Sequence, residues 1–372
     1  MLTLEGCRAR QQRLIEQLQK LGLDGAVITH REHVYYFTNF RCHYNHSAAA
    51  FIEAGGRVIL AGAKPAKEAV AAAESITYPA QKFSTMPMEQ ATLCAEALRL
   101  AVPTGLRLGA DLEGPAAIAR VAGSAAADLT PVLLRLRKRK DPDEVAALKR
   151  SIAVSEAMYA YAKDLIRPGL DELDFYAGIR GAAISAAGSD PERFGNDFCS
   201  GAGGGLPRRR PMQAGELYVL DAGPSVDGYH ADNCRTFAVD RQGTPVQHAA
   251  CKSISEALGF AEGLIRPGLS CREHFEQVKA YLSPAGHSGL CHHLGHGIGL
   301  QAHEAPQLNP EYDAVFEVGD GFTMEPGLYS KELNAGIRLE QNYYLGAHGL
   351  DVLTKFPLAL VVHPDFPAKT FK

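Results

Sequence analysis

About the first 130 residues alternate between helical and extended hydrophobic patterns. Leu14, Leu18 and Leu21 fall at helical spacing among arginine, glutamine and lysine side chains, so residues 7–23 predict an amphipathic helix. The further predicted elements, in chain order, are strands at 25–30 and 57–62, helices at 64–74 and 88–101, and a strand at 106–111. Strands that alternate with helices in this way indicate an α/β domain.

A charged connector interrupts these patterns, RLRKRKDPDE at 135–144. Its Asp141-Pro142 step disfavours a continuous helix, and the Asp141 side chain can cap a helix that begins directly after it. We therefore predict a domain boundary here, with an N-terminal domain over 1–135 and a second domain over 136–372.

The second domain contains a short internal repeat. The letters LIRPGL occur at 165–170 and again at 264–269, each time between two amphipathic helical segments. Chance, together with the tendency of Pro-Gly to end helices, is one explanation. We favour the other, a duplication that makes this domain two α+β halves packed around a shared centre.

The stretch from 217 to 237, LYVLDAGPSVDGYHADNCRTF, predicts a β-hairpin with one carboxylate on each strand. Apolar and polar letters alternate on both sides of the turn-rich GPSVDG, which places Asp221 on the first strand and Asp232 on the second. Carboxylates on apolar strands are costly to bury, and two that face each other repel unless a cation lies between them. A metal ion between these two residues is one interpretation, and a pair of solvated hairpin acids is the other.

Three further candidate ligands lie downstream. The run CHHLGHGIGLQAHEAP, at 291–306, contains four histidines, and the glycines around His296 permit a close approach of the backbone to a ligand. His292 and His296 have the spacing of a zinc-protease helix, but the glycines disfavour a helix and the residue after His292 is histidine instead of the required glutamate. Glu325 precedes a Pro-Gly turn and Glu340 lies on an alternating strand; for each alone, a surface acid is the alternative.

Taken together, the candidate ligands are four carboxylates and one imidazole: Asp221, Asp232, His296, Glu325 and Glu340. A structural zinc prefers four ligands rich in sulfur and nitrogen, which this set does not offer. Oxygen-rich sets suit manganese, iron(II) or cobalt, and bridging carboxylates can hold two ions about 3.5–4 Å apart.

Composition narrows the class of protein. Hydrophobic residues make up 46% and charged residues 22% of the 372 positions, as in globular proteins, and the net charge of -4 indicates no nucleic-acid partner. The eight cysteines form no CxxC pair, which favours reduced thiols in the cytoplasm. The N-terminus lacks the apolar segment of a signal peptide, and no window reaches the length of a membrane span, so no membrane partner is predicted.

Four motifs occur in the order and context found in the prolidase, aminopeptidase P and creatinase family: DAG…GYHADNCRTF, HHLGHGIGL..HEAP, MEPGLY and GIRLEQ. The chain resembles this family over nearly its whole length, and the shorter bacterial and archaeal prolidases most. The start, RQQRLIEQLQKLGLDGAVITHREHVYYFTNF, is similar to the family's N-terminal domain. The resemblance implies an α/β N-terminal domain followed by an α+β "pita-bread" domain, whose internal two-fold pseudo-symmetry fits the LIRPGL repeat.

This resemblance also implies a role for each candidate residue. The five candidate ligands would hold two divalent ions, Mn, Co, Zn or Fe, and a metal-bridging water would lose its proton and attack the scissile carbonyl. Glu325 would carry the proton, and His292 and His303 would lie near the substrate and stabilise the oxyanion. Arg338, which we group with the substrate-binding residues, matches a family arginine that braces the site through carboxylate pairing.

Two departures from the family pattern concern the substrate side and the surroundings of the ligands. Family members have a histidine in a Pro-His segment ahead of the first aspartate, whereas here Arg208 follows Pro207. One interpretation is that Arg208, or its neighbours Arg209 and Arg210, clamp a free substrate carboxylate, which favours dipeptides. The others are a site that has drifted toward another amide, and a solvated arginine loop. Cys234 stands where the family commonly has threonine, which predicts a change around the ligands and not a lost ligand.

We therefore predict a cytoplasmic dinuclear metallopeptidase that acts on small peptides as a homodimer. It is predicted to be an Xaa-Pro dipeptidase or aminopeptidase, and we favour the dipeptidase. The alternatives are a non-peptide amidohydrolase on the same fold and a catalytically silent binding protein. Creatinase lacks the complete metal set and silent members usually lose ligands, whereas this chain keeps all five candidates, which favours the peptidase. His230, His43 and His46 are weaker candidates, because an exposed or hydrogen-bonded histidine is the simpler interpretation of each.

Overall fold

The chain divides into two compact units, Met1–Arg137 and a second unit that begins at Lys138. The structure is a computed structural model that describes residues 1–361. The division lies two residues beyond the boundary predicted between 135 and 136. Across residues 1–361 we find no helix with the length and apolar character that crossing a bilayer requires.

The first unit is built on a mixed sheet. Its helices and strands, in chain order, are α1 (Leu4–Leu21), β1 (Gly25–Ile28), α2 (Arg31–Thr38), β2 (Ala49–Glu53), β3 (Val58–Gly62), β4 (Glu74–Thr77), α3 (Gln90–Ala101), β5 (Leu108–Ala110), α4 (Ala116–Ala119), β6 (Ala127–Asp128) and α5 (Thr130–Lys138). The sheet has the order β4-β3-β2-β1-β5-β6, with β1 antiparallel to β2 and parallel to β5. Val27, Phe51 and Leu98 are fully buried in the core that packs on it.

The helix predicted at 64–74 is wrong, because this segment is irregular and leads into strand β4. Its backbone groups bind other parts of the unit. The Ala71 N–H donates to the carbonyl of Thr38 (2.9 Å), and Gln11 Nε2 donates to the carbonyl of Ala71 (2.6 Å). These tertiary hydrogen bonds outweigh the helix preference of an alanine-rich stretch, which differs between ordinary residues by less than about 1 kcal/mol each.

The second unit combines helices with antiparallel sheets. Its helices and strands within the described residues are α6 (Pro142–Leu165), α7 (Glu172–Ala187), β7 (Phe194–Ser200), β8 (Leu217–Val226), β9 (Tyr229–His230), β10 (Asn233–Ala238), α8 (Pro245–Leu264), α9 (Cys271–Leu282), β11 (Gly295–Gly297), β12 (Glu304–Leu308), β13 (Gly321–Met324), β14 (Gly327–Ser330), β15 (Ala335–Arg338), β16 (Gln341–Gly346) and β17 (Gly349–Val352). One sheet has the order β10-β8-β7, with β9 pairing β8; another has the order β12-β11-β13-β16-β17; and β14 pairs β15.

The two LIRPGL segments have equivalent surroundings. The first links α6 to α7 and the second links α8 to α9. In the first, the Gly169 N–H donates to the carbonyl of Met212 (2.9 Å), and in the second the Gly268 N–H donates to that of Phe316 (2.8 Å). Two helix pairs with matching turns and matching long-range hydrogen bonds support the duplication interpretation.

The predicted hairpin forms, but its turn is shorter than GPSVDG. Strand β8 continues to Val226, and the chain reverses at Asp227 and Gly228, whose φ angles of 53° and 79° are those of a type I′ turn. Asp221 lies within β8 opposite Cys234 of β10. Asp232 was predicted on the second strand, whereas it lies one residue before β10.

Candidate metal centre

The five candidate ligands come together in one cavity of about 290 Å³ in the second unit. Each lies on a strand or next to one: Asp221 within β8, Asp232 before β10, His296 within β11, Glu325 after β13 and Glu340 before β16. None of the five is more than 8% exposed. The sheet holds Asp221 and His296 directly, whereas the other three candidate ligands lie at the ends of strands.

Glu340 lies between two groups of possible ligand atoms. One atom each of Glu340, Asp221 and Asp232 lies within 4.8 Å of the others, and the same holds for Glu340, His296 and Glu325. A further contact joins the groups, His296 Nε2 to Asp232 Oδ2 at 3.6 Å. Two adjoining groups that share a carboxylate are the arrangement that two bridged divalent ions need.

The first group, Asp221, Asp232 and Glu340, brings three carboxyl groups together in a buried environment. Burial, and then the charge of Asp221, raises the pKa of Asp232 well above its usual range, while burial followed by the charge of Asp232 does the same to the pKa of Glu340. Burial raises the pKa of Asp221 to about 6, although Arg338 opposes the shift.

Several buried oxygens of this group also lack a donor. Among the described residues, no hydrogen-bond partner meets Asp221 Oδ1 or either carboxylate oxygen of Glu340. Such an atom costs about 1–3 kcal/mol when it is left unpaired. Divalent cations prefer carboxylate oxygens and would supply the missing partner, so the residues present fit a metal site.

Glu325 differs from these carboxylates because cationic and histidine groups surround it. Burial alone would raise its pKa, but a hydrogen bond with His293, the charge on that ring, and then the charges of His296 and Arg338 lower the pKa of Glu325 to about 2. The His293 Nε2–Glu325 Oε1 distance is 2.8 Å. Glu325 is therefore held ionised, as a metal ligand or a proton acceptor must be.

The ring of His296, a candidate ligand, is neutral and held in one orientation. Its Nδ1 lies 3.0 Å from the carbonyl oxygen of Gly297, so Nδ1–H donates there and Nε2 turns its lone pair toward Asp232 and Glu325. Burial lowers the pKa of His296 to about 4. The backbone beside it is close-packed, because a Cβ on Gly297 would lie 2.0 Å from the carbonyl oxygen of Ala305. Glycine is required at that position.

The two histidines predicted to lie near the substrate line the same cavity. The ring of His303 stacks on that of His296, with centroids 3.7 Å apart. His292 Nδ1 donates to the carbonyl of His293 (2.7 Å), and its Nε2 accepts from the Tyr329 hydroxyl (3.0 Å). Burial is the main cause that lowers the pKa of both His292 and His303, so both rings are neutral at pH 7.

Arg338 contacts the first group of candidate ligands. Its Nη2 donates to Asp221 Oδ2 (2.6 Å) and to Asp197, and its Nη1 donates to the Tyr329 hydroxyl (3.2 Å). The residue is 8% exposed. Two carboxylates contact its guanidinium, so Arg338 orients Asp221, while its Nε has no hydrogen-bond partner among the described residues and is left as a donor.

Arg208 lies outside the set of described residues that line the cavity. Its Nε and Nη2 donate to the two carboxylate oxygens of Glu172 (3.0 and 2.7 Å), and Nη2 also donates to the carbonyl of Ser200. Arg210 bridges the same glutamate to Glu216, and Arg209 pairs with acidic residues of helix α7 and its cap. The three arginines therefore hold the loop that contains them against α7.

Sequence reasoning missed three residues that line the cavity, Asn196, Asp197 and His293. Asp197 lies on β7 opposite Asp221, and its side chain accepts from the Gly205 N–H (2.6 Å) as well as from Arg338. No periodic signal marks this strand, because register shifts interrupt its pairing near Gly195. His293 was visible as the second histidine of an adjacent pair.

The weaker histidine candidates lie elsewhere among the described residues. His230 is not among those that line the cavity, and its backbone N–H donates to the carbonyl of Gly299 (2.8 Å). His43 and His46 belong to the first unit, where His46 Nδ1 lies 3.0 Å from Gln90 Oε1.

Comparison with known proteins covers both units. Residues 146–347 match metallopeptidase family M24, and residues 10–138 match the creatinase/prolidase N-terminal domain. An Xaa-Pro dipeptidase from Lactobacillus helveticus is 30% identical over 244 residues, which cover 64% of this chain and 65% of that protein. The probable dipeptidase PepE of Mycobacterium tuberculosis is 31% identical over 241 residues, 63% of each protein. The chain thus spans slightly less than two thirds of the length of these two relatives.

Solved structures resemble the chain over nearly all of its length. The prolidase from Pyrococcus furiosus superposes with a TM-score of 0.76 at 20% identity, covering 92% of this chain and 99% of that one. The Xaa-Pro dipeptidase from Bacillus anthracis superposes with a TM-score of 0.80 at 22% identity, covering 95% and 99%. These likenesses confirm the predicted fold class. Because the family match spans more than half of the residues, the chain belongs to metallopeptidase family M24.

Proposed function

We propose that the protein is a metal-dependent peptidase that hydrolyses Xaa-Pro bonds, an Xaa-Pro dipeptidase in particular. The observation that carries this proposal is the cavity in which four carboxylates and His296 form two adjoining groups that share Glu340. Family membership and the names of the two relatives support the reaction class. An Xaa-Pro bond is a tertiary amide with a fixed φ, and it suits a dedicated cavity better than a general peptidase site.

The five candidate ligands would hold two divalent ions, Mn, Co, Zn or Fe. When bound, such ions supply Lewis-acid activation of a water molecule and of the scissile carbonyl. Glu325, which its surroundings hold ionised, would accept the proton from the attacking water and pass it to the leaving nitrogen.

The histidines of the cavity have different capacities to donate. Both ring nitrogens of His292 are engaged, one with the carbonyl of His293 and one with the Tyr329 hydroxyl. We therefore assign the hydrogen bond to the substrate carbonyl oxygen to His303, whose ring lies on His296 at the cavity wall. His292 would act by orienting the Tyr329 hydroxyl.

Three finer points belong to the same proposal: two ions, a homodimer and a cytoplasmic location. The shared Glu340 supports two ions. All eight cysteines are free in the described chain, which supports a reducing compartment. The homodimer rests on the resemblance to the family alone, and light scattering of the purified protein measures it directly.

The test is hydrolysis of a small substrate panel after dialysis against a chelator. The panel holds Ala-Pro, Leu-Pro, Ala-Pro-Ala, Ala-Ala and creatine, with Mn²⁺, Co²⁺ or Zn²⁺ added back. We expect metal-dependent cleavage of Ala-Pro and Leu-Pro and none of Ala-Ala or creatine. Cleavage of Ala-Pro-Ala alone would identify an aminopeptidase, and cleavage of creatine alone would support the amidohydrolase alternative.

The proton-transfer role of Glu325 has its own test. Glu325→Gln should lower kcat for Ala-Pro by at least about 10²-fold, which is the usual contribution of general acid–base catalysis. The matched control is Glu332→Gln, the same change at an exposed glutamate outside the residues that line the cavity. Wild-type kcat in the folded Glu325→Gln protein would remove this residue from the proposed mechanism.

A further inference from the structure

The backbones of Asp232 and Glu340 are held in an unusual way. Each residue lies one position before a strand, Asp232 before β10 and Glu340 before β16, so neither takes part in the ladder of the strand that follows. Buried N–H and C=O groups nevertheless require partners. These partners help to fix the directions of the two carboxylates, because the position of a side chain depends on that of its own backbone.

The side chain of Asn342 supplies the partners for Asp232. Asn342 Nδ2 donates to the carbonyl of Asp232 (2.6 Å), and the Asp232 N–H donates to Asn342 Oδ1 (3.4 Å). Nδ2 also donates to Asn233 Oδ1 (2.6 Å). Asn342 is fully buried and lies only two residues after Glu340. The Asn342 carboxamide thus forms hydrogen bonds with both the N–H and the carbonyl of Asp232, one of the candidate ligands.

Glu340 is held in return from the strand that follows Asp232. The Glu340 N–H donates to the carbonyl of Cys234 (2.9 Å), and the Glu340 carbonyl accepts from Arg235 Nη1 (2.6 Å). The same Nη1 donates to the carbonyl of Cys234 (2.8 Å). Residues next to each carboxylate therefore fix the backbone of the other, and we call Asn342 and Arg235 the reciprocal clamp.

Arg235 is fully buried, which is costly for a cation unless its donors are used. A guanidinium has five N–H donors. They are taken up by five contacts, to the carbonyls of Cys234, Glu340, Phe356 and Pro357 and to the side chain of Gln341. Four of the five acceptors are backbone carbonyls, so the side chain serves to hold chain segments together and is not a surface charge.

A C-terminal segment, Leu353–Pro357, supports both halves of the clamp. The Leu353 N–H donates to the carbonyl of Asn342 (2.8 Å), and the Asn342 N–H donates to Thr354 Oγ1 (3.0 Å). Arg235 Nη2 donates to the carbonyl of Phe356 (2.7 Å), and its Nε donates to the carbonyl of Pro357 (2.9 Å). This segment lies after residue 347, where the match to the peptidase family ends.

We propose that Asn342 and Arg235 are positioning residues of the metal centre, and that the segment Leu353–Pro357 holds them in place. The proposal rests on the proposed two-metal function. It assigns the placement of Asp232 and Glu340 to two residues that are not among the described residues lining the cavity. Contacts of this kind around metal ligands typically change metal affinity by 10- to 100-fold when they are lost.

The experiment is calorimetric titration of Mn²⁺ into the chelator-treated full chain, with thermal unfolding measured in parallel. Asn342→Leu removes the carboxamide at similar volume, and Arg235→Lys keeps the charge but loses the fork of donors. We expect the wild type to bind two ions and each variant to bind at least one of them ten-fold or more weakly.

Matched controls separate positioning from general stability. Gln247→Met removes another buried carboxamide, which donates to the carbonyls of Gly215 and Leu333. Arg241→Lys removes another arginine, an exposed one, that donates to the backbone carbonyls of Ile166 and Asp164. Both lie outside the residues that line the cavity. They should lower the unfolding temperature and leave both Mn²⁺ affinities within two-fold of the wild type.

The outcomes distinguish the two proposals. A wild type that binds no Mn²⁺, and no Co²⁺ or Zn²⁺ titrated in its place, overturns the proposed function. A wild type that binds two ions, with Asn342→Leu binding both at unchanged affinity, overturns the clamp alone. If Arg235→Lys does not fold, Thr354→Val is the milder variant, because it removes only the hydroxyl that binds Asn342 and Asn233. Unchanged Mn²⁺ affinity in both Asn342→Leu and Thr354→Val would equally refute the clamp.

Discussion

Because His274 is buried, we expect the free energy of unfolding of the second unit to fall at acid pH. His274 lies in helix α9 with no exposed surface, its Nε2 donates to the carbonyl of Ala261 (3.1 Å), and its ring packs edge-on against Phe316. Burial lowers the pKa of His274 from 6.5 to about 4. The folded state therefore prefers the neutral ring, and this contribution to stability is complete above pH 6.5 and is lost as the pH falls toward 4.

The size of the effect follows from the two pKa values. At pH 5 the unfolded chain protonates this ring almost completely while the folded chain protonates it little, which lowers the free energy of unfolding by about 2 kcal/mol. The assay is urea unfolding of the wild type and of His274→Leu at pH 7.5 and pH 5. The variant lacks the titrating group, so its loss of stability between the two pH values should be about 2 kcal/mol smaller than that of the wild type.

A matched control is His348→Gln, which removes an exposed histidine from the turn after β16. This variant should keep the full loss of stability between pH 7.5 and pH 5. The lost hydrogen bond to Ala261 affects His274→Leu equally at both pH values and cancels in the comparison. An equal loss in His274→Leu and in the wild type would refute the argument, because another group would then carry the pH dependence.

Two further predictions concern the ion pairs of Lys140 and Arg208 in the second unit. Lys140 Nζ lies 2.9 Å from Glu304 Oε2, and Lys140→Met should lower the free energy of unfolding by about 3–5 kcal/mol because it leaves Glu304 unpaired. The double variant Lys140→Met/Glu304→Gln should lose less stability than Lys140→Met alone. Urea unfolding measures both losses, and additive losses would contradict the coupling. Because Arg208 is engaged with Glu172, Arg208→Ala should change kcat/KM for Ala-Pro and for its C-terminal amide by the same factor, whereas a rise in KM confined to Ala-Pro would support the substrate-clamp interpretation.

The candidate ligands could be predicted from the sequence because burying carboxylates costs free energy that a bound cation must offset. A carboxylate on an apolar strand, such as Asp221, violates the ordinary pattern of burial, and several such violations in one domain point to a shared cation. The resemblance to a family then supplied the order of the motifs. The helix pairs around LIRPGL were likewise predictable, because turn signals of this kind are local.

The parts that could not be predicted depend on contacts between distant segments. The segment at 64–74 has helical composition, yet its backbone bonds to Thr38 and Gln11 decide its conformation. Asp197 lines the cavity because β7 pairs with β8, and no local sequence pattern predicts this pairing. Arg208 illustrates the same limit, since its buried partner Glu172 lies 36 residues earlier in the chain.

The candidate ligands are divided between the two halves of the second unit, so metal binding would report whether the two halves are assembled. Asp221 and Asp232 come before the second LIRPGL segment, whereas His296, Glu325 and Glu340 come after it. A fragment containing one half carries only part of the set, so tight binding requires both halves to be docked. An ion that binds only the docked state stabilises it by mass action, by about 2.7 kcal/mol at a free concentration one hundred times its Kd. The availability of metal in the surroundings would thus set how firmly the two halves hold together.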